Sequence, residues 1–238
     1  MNHFTRKPTI DWTLKLKKHL ALAKHPVLQR FYEQPIPDQN TPINEVEFLA
    51  VDFETTGLDS KKDDIITVGL VPFTLNRIYL NRAKHWTVRP RKQLNDDSIV
   101  IHGITHSDIA DAPDLTEVIE EILDSISGNI LVVHYNRIER EFLDKALRAR
   151  FNEGIQFPVV DTMQIESNIQ KLWAGGFWNM MKGMKPQSVR LGQSRIRYGL
   201  PPYTPHHALT DAIATAELLQ AQIAYHYNPN QPVRDFWL

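Results

Sequence analysis

The stretch Phe48-Leu49-Ala50-Val51-Asp52-Phe53-Glu54-Thr55-Thr56-Gly57 constrains this chain most. An apolar run of this kind forms a buried strand, and a strand turns alternate side chains to opposite faces. Asp52 and Glu54 therefore share a face, roughly 7 Å apart at their Cα atoms. Two carboxylates held side by side repel unless a cation sits between them. Hard oxygen ligands in that arrangement suit Mg²⁺ or Mn²⁺. Taken alone, the pattern equally describes a solvated Asp-x-Glu at a strand end, so further acidic segments must decide.

Composition sets the limits. The chain has 238 residues, 42% hydrophobic and 23% charged, which suits one good-sized globular domain with an appendage. Its net charge of −1 gives no polyanion signal for the molecule as a whole. The absence of cysteine rules out disulfides, thiolate metal sites and Cys nucleophiles. The N-terminus lacks the apolar core of a signal peptide, and no run nears the roughly 18 residues of a membrane span. A cytoplasmic location without membrane contact is the expectation.

Residues 1–44 read as a basic helical arm with a linker. Seven cations between Arg6 and Arg30 face only Asp11, and Pro35, Pro37 and Pro42 follow. Ile10, Leu14, Leu20 and Leu22 with Trp12 suggest a helical stripe, a solvated face on a docked helix. Residues 45–228 read as the main domain and 229–238 as a tail. Strands are expected at 47–54, 65–74 and 78–89 in an antiparallel meander, then at 129–134 and 158–161. Asp114 and Glu117 form a capping box before an amphipathic helix, and further helices are expected from Ile138 and over 206–226. Strand-helix alternation after the meander adds parallel strands, giving an α/β fold around a mixed five-stranded sheet flanked by helices.

A second acidic segment, Val132-Val133-His134-Tyr135-Asn136-Arg137-Ile138-Glu139, ends a strand and places Glu139 in a helix's first turn. A third, His206-His207-Ala208-Leu209-Thr210-Asp211-Ala212, sets an imidazole five residues before a carboxylate. In order and spacing these three segments resemble the motifs of the DEDD 3′–5′ exonucleases, closest to the His-containing (DEDDh) branch that includes polymerase proofreading subunits. The resemblance spans about Glu47 to Gln222 and implies a ribonuclease-H-like fold. One departure stands out: Glu139 occupies the place of the family's usual Asp. Glutamate keeps the charge but adds a methylene, so three readings stand: a direct metal ligand, a ligand through water, or a silent binding module. The presence of Asp52, Glu54, His206 and Asp211 favours activity.

The resemblance implies two divalent cations, Mg²⁺ or Mn²⁺, about 3.5–4 Å apart. Asp52, Glu54 and Asp211 would hold one, Asp52 and Glu139 the other, with His206 rather than His207 as general base. Thr55, Thr56, His102 and Ile104 would lie by the 3′-terminal nucleotide. The implied substrate is nucleic acid with a free 3′ end, DNA favoured over RNA, with a polymerase or repair protein as candidate partner. An RNase-H-type endonuclease is a further alternative. Residues 167–210 contain no Asp or Glu but six Lys or Arg among aromatics. That composition suits a single-strand groove in which Lys171, Lys185 and Arg195 meet phosphates. Lys171 to Lys185 reads as a flap over the site or as a packed excursion. Ser188 to Tyr198 reads as a helix with Val189, Leu191 and Ile196 inward.

Overall fold

A computed structural model describes residues 10–92, 103–174 and 187–238. Its frame is a mixed sheet. The run 48–51 opens β1 (Phe48–Thr55), which pairs antiparallel with β2 (Ile65–Thr74). β1 also runs parallel to β5 (Ile130–Val133), and β5 parallel to β6 (Val159–Asp161). These inner strands are mostly buried and apolar, with the acids Asp52, Glu54 and Asp161 toward their C-terminal ends.

The segment 78–89 does not form one strand. β3 (Arg77–Ile78) ends at a turn over Leu80–Arg82, and β4 (Lys84–Thr87) then rejoins β2 on the same edge. Arg82 in that turn makes a bidentate ion pair with Glu47. The sheet thus has six strands in place of five, in the order β3-β2-β1-β5-β6 with β4 also on β2.

Eight helices lie among the described residues: α1 (Trp12–Leu22), α2 (Pro26–Glu33), α3 (His106–Ala110), α4 (Leu115–Ile126), α5 (Arg137–Phe151), α6 (Thr162–Ala174), α7 (Leu191–Arg197) and α8 (Ala208–His226). Asp114 and Glu117 close the expected capping box on α4. Trp12 and Leu16 of α1 and four residues of α2 join the same apolar core as the sheet. The inward stripe of α1 is Trp12, Leu16 and Leu20, while Ile10, Leu14 and Leu22 face outward. A strict four-residue step, not the looser pattern, selects the buried face. α1 meets Leu238 here: Trp12 Nε1–H donates to Leu238 O, and the Leu238 N–H to Val159 O on β6.

α8 crosses β2 at Gly69, which pairs with Asp52. A Cβ on Gly69 would stand 2.3 Å from the Ala208 carbonyl carbon and the Leu209 nitrogen. Only glycine lets the start of α8 rest on the sheet there. That contact brings the last acidic segment to the first.

Candidate active site

β1 projects Asp52 and Glu54 from one face, and α8 adds Asp211 from its first turn. One carboxylate oxygen from each lies within 4.8 Å of the other two. Glu139, in the first turn of α5 and 2% exposed, stands outside this trio. Its charge still reaches Asp52: burial first, then repulsion from Asp211, Glu139 and Glu54, lifts the Asp52 carboxyl well above the usual range. Burial also lifts Glu139, with Asp161 adding to it. Asp211 is raised by burial and by Glu54, against hydrogen bonds that favour its charged form.

Those hydrogen bonds fix Asp211 firmly. Tyr203 donates its hydroxyl to Oδ1 at 2.8 Å, and the N–H groups of His206 and His207 donate to Oδ2 at 2.7 and 3.2 Å. His206 adopts a left-handed backbone (φ 69°), which turns its N–H back toward the carboxylate. Glu139 is held differently. Its loop is clamped by Asp161, which accepts from the backbone N–H groups of Tyr135, Asn136, Met163 and Gln164 and from the Asn136 amide. Tyr135 is bulky yet left-handed (φ 82°), a strained backbone that Asp161 keeps in place. Within Glu139 itself, Oε2 is buried with no hydrogen-bond donor.

A cleft of about 720 Å³ opens over the carboxylates, lined by Asp52, Glu54, Asp211 and His206 on one side and by α7 and the Pro201–Pro205 loop on the other. The imidazole of His207 stacks on His85 instead, at 4.9 Å. An all-oxygen donor set, crowded carboxyls and an orphaned buried oxygen together fit divalent cations. The residues present thus suit such ions.

The sequence-derived substrate contacts fare unevenly. Thr55 donates its hydroxyl to the Gly57 carbonyl, and Thr56 bonds Asp63 and the Asp64 N–H, so both hydroxyls hold the β1–β2 turn. Ile104 packs with Ile66 and Ile109. Lys171 is exposed in the last turn of α6, away from the residues that line the cleft. His102, Lys185 and most of the Lys171–Lys185 segment lie outside the described residues.

Arg195 lies in the cleft wall but is held inside the fold. It is 2% exposed, paired with Glu217, donating to the Ala214 and Pro201 carbonyls and stacked under Tyr203. Its guanidinium is part of the cleft wall, with Nε buried and without a hydrogen-bond partner. α7 is accordingly rotated from the expected face: Ile196 is 66% exposed, and Val189 and Leu191 are only half-buried. Ion pairing of Arg195 inside the fold outweighs the burial of one isoleucine there.

Three residues escaped the sequence reading. Asp161, before Thr162 at the close of a short strand, carried an N-cap signal. His134 lines the cleft and donates or accepts at Nδ1 with Thr162, its pKa pushed down to about 4 by burial. Tyr203 reads from sequence only as one of the aromatics of the basic stretch; its bond to Asp211 is reached only across a folded loop.

A mixed sheet carrying converging carboxylates and a histidine at one end of its central strand has the make-up of a nuclease domain, with an acidic cluster that suits divalent cations. Residues 49–219 match the model of the exonuclease family, and the chain belongs to that family. DNA polymerase III subunit epsilon of Treponema pallidum is 28% identical over 185 residues, covering 78% of this chain and 80% of that protein. The PolC-type DNA polymerase III of Thermotoga maritima is 27% identical over 203 residues; the match covers 85% of this chain but 13% of that protein. The nuclease domain of 3′hExo, a DEDDh family member bound to rAMP, shares the fold with a TM-score of 0.59 at 17% identity, over 80% of this chain and 96% of that one. No described helix is long and apolar enough to cross a membrane.

Proposed function

We propose that this exonuclease domain removes nucleoside 5′-monophosphates one at a time from the 3′ end of single-stranded nucleic acid, DNA in preference to RNA. The observation that carries this reading is the convergence of Asp52, Glu54 and Asp211 within 4.8 Å beside His206 in one cleft. A relative matched over most of its length is a DNA polymerase III subunit, which favours DNA and a polymerase or repair partner in the cytoplasm.

Asp52, Glu54 and Asp211 would hold one Mg²⁺ or Mn²⁺, and Asp52 with Glu139 a second. When bound, such ions lower the pKa of water and offset charge on the phosphate. His206 takes the proton of the attacking water on a ring nitrogen, the role of a general base. Tyr203 and the two N–H donors aim Asp211 and partly offset the burial that raises its pKa. His134, kept neutral by burial, lines the cleft without adding charge.

The test is digestion of a 3′-labelled single strand with Mg²⁺, Mn²⁺ or EDTA. Wild-type protein releases mononucleotides only with the cations, His206→Ala loses about 10²- to 10⁴-fold in turnover, and Asp52→Ala falls to background with its melting curve retained. Wild-type turnover by Asp52→Ala overturns the assignment.

A further inference from the structure

A second charged depression lies outside the cleft, on the α4–α5 side of the sheet. Arg89, Arg91, Lys145 and Arg150 line it together with Asp63 and Asp64. Its acids are already engaged. Asp63 pairs with Lys92, Asp64 with Lys145, and Arg150 with Asp114. Among the described residues, neither Arg89 nor Arg91 forms an ion pair, and Arg91 shares with Arg150 the field of one acid, Asp114. Arg91 is close enough to Arg150 to lower its pKa, beyond the lowering by burial. Positive charges crowded in this way are relieved by an anion.

The backbone that carries these arginines is pinned. Arg89 N–H donates to the Pro113 carbonyl, and the N–H groups of Arg91 and Lys92 both donate to Asp64 Oδ2. Asp64 in turn exchanges hydrogen bonds with Thr56, two residues past Glu54. The guanidiniums are thus presented on a fixed loop at the carboxylate end of the sheet, which limits the ordering cost of binding. Arginine's planar fork matches the paired oxygens of a phosphodiester.

We propose that Arg89 and Arg91 form a second phosphate-binding station, which holds the backbone of the substrate strand away from its 3′ end. This rests on the nuclease reading above and adds a length preference to it: short ends are cut without the station, and long strands are gripped by it.

The experiment compares a dinucleotide with a single strand of about 30 nucleotides, using wild type, Arg89→Ala/Arg91→Ala and Arg91→Lys, across a salt series. Expected is unchanged dinucleotide turnover in all three. For the long strand, KM rises about five- to tenfold in the double variant and less in Arg91→Lys. The salt slope of binding falls by about 0.7 for each arginine removed. Equal long-strand KM and equal salt slope in wild type and double variant overturn the station. Binding of the long strand by Asp52→Ala protein, with and without the arginine changes, reads the station even if no nucleotide is released. A failure of the catalytic reading is therefore told apart from a failure of this one.

Discussion

Two helices each deliver a carboxylate from their first turn, and they do it in opposite ways. At the start of α8, both oxygens of Asp211 accept hydrogen bonds, from Tyr203 on Oδ1 and from the His206 and His207 N–H groups on Oδ2. At the start of α5, Glu139 is as deeply buried but keeps one oxygen without a donor, and the surrounding rigidity comes from Asp161 gripping the loop. Asp211 is therefore aimed by direct contacts, whereas Glu139 is aimed through its backbone. The lesson is that a carboxylate with one extra methylene can serve where its backbone is held and its tip is left available.

Substitution at Glu139 probes this contrast with the largest effect. Glu139→Gln keeps the shape but removes the charge, and should cost more than about 100-fold in turnover. Glu139→Asp should retain activity. If Gln and Asp behave alike, the tip of Glu139 is not a ligand and the contrast collapses.

Asp161→Ala attacks the grip on the loop. It strands backbone N–H groups and frees the strained Tyr135, so the melting temperature should drop by roughly 4–8 °C, with turnover falling alongside. An unchanged melting temperature would mean the loop is held elsewhere. Tyr203→Phe removes one of three donors to Asp211 and should lower Mn²⁺ affinity by about 10-fold, at the small end for such outer contacts. Titration of Mn²⁺ binding by calorimetry checks it, and an unaltered affinity would show that the two N–H groups suffice.

The smallest effect is on pH dependence. Asp52, Glu139 and Asp211 all hold protons more tightly in the fold than in the unfolded chain. Between about pH 4 and their raised values the folded state binds more protons, so their contribution to stability is full at low pH and is lost as pH rises. Cations displace those protons, so their stabilising effect grows as pH rises. The melting-temperature gain from Mg²⁺ over EDTA should widen between about pH 5 and pH 8. A constant gain would detach these carboxyls from the ions.

Much of this was readable beforehand, because strands and helix starts are written in local patterns. Asp52 and Glu54 follow from alternation, and Asp211 from its helix start. What stayed hidden depends on contacts between distant residues. Arg195 turns inward because Glu217 and two carbonyls await it across α8, and nothing in Ser188–Tyr198 announces them. Tyr203 meets Asp211 only after the proline loop folds over. The third strand broke because the turn over 80–82 anchors Arg82 to Glu47, an ion pair between distant segments.

Gly69 sets a gauge for the whole site. Since α8 rests on backbone at that point, any side chain there would act as a shim and lift Asp211 from Asp52. The spacing between those two acids is thus machined into the frame and leaves no room for adjustment. Any tuning toward a larger or smaller ion would come from the other side, where Glu139 stands in the place at which the resemblance expects the shorter Asp.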